Sequence, residues 1–324
     1  MKVIRWGIIG CGDVAEVKSG PAFNRIENSE LIGVMRRNRA KVEDFAKRHN
    51  VPYWTDNADD LLNHKDINSI YVATPPSTHL RYALKALSLD KNVYLEKPMT
   101  LTSVEAEMIG EAVKQSKGKL SVAHYRRKLP AFVKVKELID ANSIGEILVV
   151  DIQILQPKKS KIVAQSEENW RLDPKVSGGG LFYDLAPHQI DLMYHYFGAF
   201  KSIAGFSTSV TNEMIEDTVN GIIEFNNGVQ FRGVWNFNGS EVNNKEECII
   251  YGTNGNINFS FYGECVVLKT KNRNDVLKFS NPKHIQEPMI ASVVSYFNGE
   301  SENPCSVKEG IIVMKALEKL SGRQ

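Results

Sequence analysis

A chain of 324 residues is too long for one typical domain and suits two. Hydrophobic residues make up 42% of the chain and charged residues 24%, and the formal net charge is only +2, as in ordinary globular proteins. No dense stripe of lysine and arginine interleaved with aromatic residues is present, so we expect no nucleic-acid partner.

Membrane and disulfide classes are also disfavoured. No apolar stretch is long enough to cross a bilayer, and the first apolar run is too short for a secretion signal. The cysteines are scattered and form no C-x-x-C pair, which argues against a zinc site and a disulfide framework; they are Cys11, Cys248, Cys265 and Cys305. We therefore expect a cytoplasmic protein with no membrane partner.

The first strand leads into a glycine-rich turn. Val3 to Ile9 is apolar with strand character, and the next six residues read G-x-G-x-x-A: Gly10, Cys11, Gly12, Asp13, Val14 and Ala15. If a helix starts near Asp13, Gly10 allows the tight turn, Gly12 leaves room for a pyrophosphate, and Ala15 lets the helix pack closely on the strand. These residues are predicted to bind a dinucleotide, with an ordinary β-turn-α unit as the alternative.

The end of the second strand, Glu30 to Met35, indicates the cofactor. A carboxylate at this position binds the ribose 2′-OH of NAD, whereas a cation accommodates the 2′-phosphate of NADP. This chain has Arg36 and Arg37, with Lys41 one helical turn further on. We therefore favour NADP(H), with NAD(H) as the other possibility. The alternative is that one or both arginines are simply exposed at a strand end.

The strand Ser69 to Ala73 stops at three residues that turn the chain: Thr74, Pro75 and Pro76. The turn is expected at the carboxyl edge of the sheet, where doubly wound folds bind ligands. Ser77 or Thr78 is predicted to cap the next helix. His79 lies in its first turn, either as a surface or capping residue or as a ligand contact.

A later strand, Asn92 to Leu95, runs into Glu96, Lys97 and Pro98. A lysine at the carboxyl end of such a strand points toward the nicotinamide region, although position alone favours an ordinary surface lysine. A helix over 101–115, capped by Thr102 or Ser103, and a strand over 120–123 follow. The alternation of strands and helices predicts an α/β fold with a doubly wound parallel sheet, so residues 1–123 are predicted to form an NADP-binding Rossmann domain.

From His124 the pattern changes, and residues 124–324 are predicted to form an α+β domain for substrate binding and oligomerisation. A helix is expected over 130–139. The remaining strands indicate a large, mostly antiparallel open sheet; they cover 147–155, 203–209, 217–225, 229–237, 247–252, 256–261 and 265–270. Asn226-Asn227-Gly228 predicts a two-residue hairpin turn with positive φ at both turn positions. Closing helices are expected over 289–297 and 308–320, the last one a candidate to pack on the first domain.

Inside the second domain, Gly178-Gly179-Gly180 precedes Asp184 and His188, which stand four residues apart and share a face if they lie on a helix. Pro187 is tolerable only if this helix starts shortly before it. Taken alone, such a pair is more often a structural hydrogen bond or a core histidine. No third ligand of suitable spacing is apparent, so we expect no metal site.

Together these motifs resemble the Gfo/Idh/MocA oxidoreductases. The resemblance rests on G-x-G-x-x-A at Gly10, Ala73-Thr74-Pro75-Pro76 with His79, Glu96-Lys97-Pro98, Trp170-Arg171, and G-G-G-x-x-x-D-x-x-x-H ending at His188. It implies a Rossmann domain joined to an open-sheet domain, a homodimer or homotetramer built through that sheet, and hydride transfer on a sugar, cyclitol or related polyol. It also implies catalytic roles for Lys97, Asp184 and His188. Ala186, where many members have glycine, is a departure that affects only the local helix geometry.

The expected roles follow from this likeness. We assign His188 as the general acid/base, Asp184 as the group that holds or charges its imidazole, and Lys97 as a donor to the same substrate oxygen. Tyr125 and Arg126 join them as candidate substrate-binding residues. The candidate cofactor-binding set comprises Gly10, Cys11, Gly12, Asp13, Val14, Ala15, Arg36, Arg37, Lys41, Thr74, Pro75, Pro76, His79, Glu96, Lys97, Trp170 and Arg171.

Two other functions stay open on the same motifs. One is an NAD-dependent glycosidase of the same family, which oxidises its sugar transiently. The other is a non-catalytic NADP-binding sensor or scaffold. Substrate specificity is expected in the loops 156–168 and 237–245, which are rich in polar residues but carry no motif.

Overall fold

The computed structural model describes residues 2–157, 160, 162, 170–210 and 215–323. Most of the predicted specificity loop 156–168 therefore lies outside the described residues. The four cysteines are free thiols. None of the helices in the described segments combines the length and apolar character needed to cross a bilayer.

The strands, in chain order, are β1 (Ile4–Ile9), β2 (Ser29–Met35), β3 (Tyr53–Thr55), β4 (Ser69–Val72), β5 (Asn92–Leu95), β6 (Leu120–Val122), β7 (Ile147–Pro157), β8 (Phe200–Thr208), β9 (Thr218–Phe225), β10 (Gln230–Gly239), β11 (Lys245–Gly252), β12 (Gly255–Phe259), β13 (Cys265–Thr270) and β14 (Arg273–Lys278). The α-helices are α1 (Arg39–His49), α2 (Ala58–Leu62), α3 (His79–Ser88), α4 (Ser103–Gln115), α5 (Pro130–Asp140), α6 (Pro174–Ser177), α7 (Gly180–Phe197), α8 (Glu287–Asn298) and α9 (Val307–Leu320).

Contacts between residues divide the chain into two units. The first comprises Met1–Arg126 and Pro282–Met314, and the second comprises Arg127–Asn281 and Lys315–Gln324. The sequence-based division at residue 123 places residues 282–314 in the second domain. The contacts group these residues with the first unit instead. We call residues 282–314 the returning segment. The division also falls inside α9.

The first unit is built on a six-stranded sheet in the order β3-β2-β1-β4-β5-β6, with every pair parallel. This is the order of a dinucleotide-binding Rossmann sheet, and the predicted fold class is confirmed. The central strands β1, β4 and β5 are almost continuously buried because helices cover both faces of such a sheet. The order reverses between β1 and β4, so the ligand crevice is expected at the carboxyl ends of these two strands.

The helix after β1 is irregular. It begins at Asp13, as expected, but continues as a π-helical turn, Ala15–Ser19, and then as a 3₁₀ turn, Gly20–Arg25. Pro21 stands near the start of the 3₁₀ turn and has no N–H for a helical hydrogen bond, which accounts for part of the irregularity. π-helical turns occur frequently at functional sites.

The second unit contains an eight-stranded sheet in the order β14-β13-β12-β11-β7-β10-β9-β8. Only the β7–β10 pair is parallel, so the predicted mostly antiparallel sheet is confirmed. One face packs on α5 and α7, where Phe132 contacts Phe259 and Phe182 contacts Trp235. On the other face Phe206 is 82% and Ile222 is 61% exposed within this chain.

The hairpin between β9 and β10 forms where it was predicted, but its turn differs. The N–H of Gly228 donates to the carbonyl of Phe225, and Gly228 has φ +88°. Asn226 and Asn227 have negative φ, so the prediction of positive φ at both turn positions was wrong. A turn closed by a single left-handed glycine replaces it.

Candidate functional site

The glycine turn has one glycine that the fold requires and one that it does not. Gly10 has φ +94°, and a Cβ there would lie 2.9 Å from backbone atoms of Ala73 and Thr74. A Cβ on Gly12 would meet no atom within 4 Å, so Gly12 borders open space. Ala15 is fully buried. This cradle fits a phosphate group, because a side chain at position 12 would occupy the space that the phosphate needs.

Cys11 lies in the same turn and is buried. Burial raises the pKa of its thiol to about 12, and the nearby positive charge of Arg36 opposes the rise. The thiol is therefore neutral at physiological pH. Asp13 is exposed and Val14 is half-buried.

Arg36 and Arg37 follow β2, as predicted. Arg36 is half-buried and Arg37 is exposed. Asn38 caps α1 by accepting a hydrogen bond of 3.0 Å from the backbone N–H of Lys41. Because Arg36 acts electrostatically on Cys11, its charge lies close enough to the glycine turn to act on an anion bound there.

His79 is neither a surface residue nor the cap of α3. Thr78 occupies the N-cap position of α3, but its hydroxyl donates to Thr74 and Pro75 rather than capping the helix. His79 is fully buried, with Nδ1 3.0 Å from the carbonyl of Pro98 and Nε2 2.7 Å from that of Thr74. Burial lowers the pKa of the imidazole, and these carbonyls oppose the shift. Since both ring nitrogens face protein carbonyls, His79 ties two turns of the candidate site together.

Glu96 is held by buried side chains that sequence reasoning missed. It is 6% exposed, and its Oε1 accepts hydrogen bonds of 2.6 Å from the Tyr71 hydroxyl and 2.6 Å from Nε2 of Gln286. Its Oε2 accepts from the backbone N–H of Lys97 at 3.1 Å. Burial, and then the Glu96 charge, raise the pKa of Tyr71 well above its usual value. Lys97 is half-buried, and its peptide bond to Pro98 is cis.

Tyr125 follows β6 and is 3% exposed. The guanidinium carbon of Arg126 lies 5.6 Å from the centre of its ring. Burial alone would raise the pKa of the Tyr125 phenol, but the positive charges of Arg126, Lys18 and Lys97 bring it below its usual value. The first unit therefore places a hydroxyl with increased acidity in the field of the candidate lysine.

The second unit carries the other candidate residues. Arg171 is buried, and its Nε donates a hydrogen bond of 2.9 Å to Oδ2 of Asp184. Its guanidinium carbon lies 4.4 Å from the centre of the Trp170 ring. Asp184 and His188 stand one turn apart on α7, and both are buried. The predicted pair thus shares a helix face, and Arg171 joins it as an ion-pair partner of Asp184.

The three glycines at the start of α7 are favoured by positive φ or by close packing. Gly178 and Gly180 have φ +90° and +70°. A Cβ on Gly179 would lie 2.3 Å from the Tyr183 ring, and one on Gly180 would lie 2.4 Å from Ile215. The close backbone approach expected from the sequence is confirmed.

Pro187 lies inside α7, seven residues after its first residue Gly180, so the expectation that the helix starts shortly before the proline was wrong. Proline has no N–H to donate to the carbonyl four residues earlier. One turn beyond the proline, Arg127 forms a two-point ion pair with Asp191, at 2.7 and 2.9 Å, which fixes this part of α7 in the second unit. Both side chains are almost fully buried.

The candidate residues fall into two sets, one in each unit. In the first, the glycine turn, Thr74–Pro76, Glu96 and Lys97 follow the adjacent parallel strands β1, β4 and β5 and therefore share the carboxyl edge of one sheet. In the second, Trp170 and Arg171 precede α7, and Asp184 and His188 lie in its first half.

Comparison with known proteins bears on both sets. Residues 4–124 match the family model described as "Oxidoreductase family, NAD-binding Rossmann fold", and residues 132–258 match the GFO/IDH/MocA C-terminal domain. "Oxidoreductase P35" of Formosa agariphila is 51% identical over 319 residues, 98% of each chain. The scyllo-inositol 2-dehydrogenase (NADP(+)) IolW of Bacillus subtilis is 28% identical over 62% of this chain and 53% of its own length. A solved complex of levoglucosan dehydrogenase with NADH and levoglucosan shares the fold, with a TM-score of 0.87 at 20% identity over 98% of this chain and 96% of that one.

Proposed function

The chain belongs to the Gfo/Idh/MocA oxidoreductases, and on that premise we propose that it transfers a hydride between NADP(H) and a CH–OH or ketone group of a sugar, cyclitol or related polyol. The observation that carries the proposal is the placement of Lys97 at the carboxyl end of β5, beside a buried Glu96 and on the same sheet edge as the open glycine turn.

The cofactor assignment rests on the glycine turn and the end of β2. The open space at Gly12 and the N–H groups of the following helix suit the pyrophosphate. Arg36 and Arg37 suit a 2′-phosphate, and no carboxylate stands with them at the end of β2. The relatives include a protein named for NADP(+) and a structure containing NADH, so NAD(H) is the alternative cofactor.

The proposed chemistry divides the work among three side chains. When bound, the nicotinamide ring supplies the hydride acceptor or donor. His188 removes the hydroxyl proton during oxidation and returns it during reduction, since an imidazole titrates near neutral pH. Lys97 donates a hydrogen bond to the same oxygen and stabilises developing negative charge. Asp184, paired with Arg171 and one helical turn before His188, supplies the negative charge that stabilises the imidazolium formed when His188 takes up the proton.

The assembly proposal rests on the uncovered face of the second sheet. Phe206 and Ile222 stand on that face, together with Arg232, which pairs with Asp151. An exposed apolar face of this kind is typical of a subunit interface. We propose a homodimer or homotetramer built through it. The cytoplasmic location stays a prediction from the cysteine pattern.

An NADP(H)-linked absorbance screen over aldoses, ketoses, anhydrosugars, cyclitols and diols, run in both directions, tests the reaction. Lys97→Met and His188→Gln should each lower kcat by roughly 10² to 10⁴ while NADPH still binds. His195→Gln, near the far end of the same helix, is the control and should retain turnover. Unchanged turnover in both site variants contradicts the assignment. Release of free sugar from a glycoside without added cofactor would instead support the glycosidase alternative.

A further inference from the structure

Gln286 lies 190 residues after Glu96 in the sequence, yet its side chain reaches that carboxylate. Its Nε2 lies 2.6 Å from Oε1 of Glu96 and 3.3 Å from the Tyr71 hydroxyl, and its Oε1 accepts a hydrogen bond of 3.0 Å from the Tyr94 hydroxyl. All these groups belong to the first unit. Gln286, Tyr71 and Tyr94 are fully buried.

The chemistry of the site suits an amide and no other side chain of this size. Glu96 needs donors and the Tyr94 hydroxyl needs an acceptor, and a glutamine presents one of each from a single planar group. A glutamate here would place a second carboxylate against Glu96. A methionine would fill the same volume and make neither hydrogen bond.

The backbone around Gln286 is fixed against the helix that follows the glycine turn. The N–H of Gln286 donates to the carbonyl of Lys18, and Nδ1 of His284 lies 3.3 Å from the carbonyl of Val17. Ser19, in the same helix, donates to the Tyr71 hydroxyl at 3.2 Å. These contacts fix the position of the returning segment just before α8, where the Gln286 side chain reaches Glu96.

We propose that Gln286 is a positioning residue for Lys97: its amide fixes the Glu96 carboxylate, which accepts from the Lys97 N–H, and so sets the direction in which the lysine side chain leaves the sheet edge. The inference rests on the proposed role of Lys97. Glu96 accepts from the backbone of the very next residue, so rotation of the carboxylate moves the peptide that carries the candidate catalytic side chain. Displacements of about 1 Å at a reacting group cost roughly 10²-fold in rate.

The test compares Gln286→Met with Lys119→Met. Nζ of Lys119 donates to the carbonyls of Tyr296 and Phe297, so its loss loosens the same returning segment without touching Glu96. Gln286→Met should lower kcat for the sugar by about 10- to 100-fold. Lys119→Met should lower the Tm and leave kcat unchanged. Tyr71→Phe, which removes the other side-chain donor to Glu96, should act in the same direction as Gln286→Met.

A second readout needs no sugar. The rate at which a lysine-directed acylating reagent modifies Lys97, measured by peptide mass spectrometry, should change at least about threefold in Gln286→Met and stay unchanged in Lys119→Met. If no polyol is turned over, the proposed function fails while this labelling still decides the role of Gln286. A labelling rate in Gln286→Met equal to that of the parent protein, or equal changes in both variants, overturns the inference.

Discussion

Nε of Arg171 lies 2.9 Å from Oδ2 of Asp184, and the two side chains are only 8% and 11% exposed. The sequence assigned Arg171 to the cofactor and Asp184 to the imidazole of His188. The ion pair gives Arg171 a second task, because it holds the carboxylate that stands one helical turn before the proposed acid/base.

Breaking this pair should be costly. Arg171→Met removes the cation that pairs with Oδ2 of the buried Asp184 carboxylate, and we expect the free energy of unfolding of the second unit to fall by about 3–5 kcal/mol. Urea denaturation measures the change. The double variant Arg171→Met/Asp184→Leu removes both charges and should recover most of the loss. A single variant as stable as the parent protein would contradict the electrostatic reading of this contact.

Alanine substitutions at Gly10 and Gly12 should separate an effect on stability from an effect on cofactor binding. Alanine at Gly10 meets backbone atoms at 2.9 Å with φ +94°, so Gly10→Ala should lower the Tm. Alanine at Gly12 meets nothing in the protein, so Gly12→Ala should keep the Tm but weaken NADPH binding by about tenfold or more. Thermal shift and fluorescence titration separate the two effects. Full NADPH affinity in Gly12→Ala would show that the pyrophosphate lies elsewhere.

The cofactor preference should follow the cations after β2. Arg36→Ala and Arg37→Ala should reduce kcat/KM for NADPH by about 10- to 100-fold and change the value for NADH little, since a hydrogen bond to a charged group contributes about 1.5–3 kcal/mol. Arg39→Ala is the control, because Arg39 lies over the Trp54 ring and pairs with Asp56. Equal losses for both cofactors would assign these arginines another role.

His79 should make stability depend on pH. Burial lowers its pKa from the usual 6.5, so below about pH 6.5 the unfolded chain takes up a proton that the folded protein resists. The free energy of unfolding of the first unit should therefore fall as the pH drops below 6.5. In His79→Gln this part of the dependence should disappear. Denaturation at pH 7.5 and 5.5 measures the difference, and identical slopes in the two proteins would refute the prediction.

Local patterns predicted most of the framework. The bounds of β5 and β13, the Thr102 cap of α4 and the glycine turn agree with the sequence-based predictions, because each depends on neighbours a few residues apart. The short strand β3 and the edge strand β14 were missed. β3 has only three residues, and four of the six residues of the edge strand β14 are polar or charged, so neither carries a strong hydrophobic signal.

The motifs identified residues of the candidate site but not the hydrogen bonds that join them to distant parts of the chain. Lys97, Asp184 and His188 follow from motifs, whereas Gln286 sits in no motif and reaches Glu96 only through the fold. The contact between His79 and the Pro98 carbonyl could not be predicted either, since Pro98 lies nineteen residues further along the chain. Pro187 misled the helix prediction because tertiary contacts outweigh local propensity.

The returning segment has a consequence for synthesis. A nascent chain that has left the ribosome only as far as residue 281 holds all six strands of the first sheet but not the glutamine that completes the hydrogen bonds of Glu96. The first unit therefore acquires its finished interior only after residue 286 has been translated. Until then the Glu96 carboxylate and the Tyr94 phenol lack the amide that joins them in the folded protein.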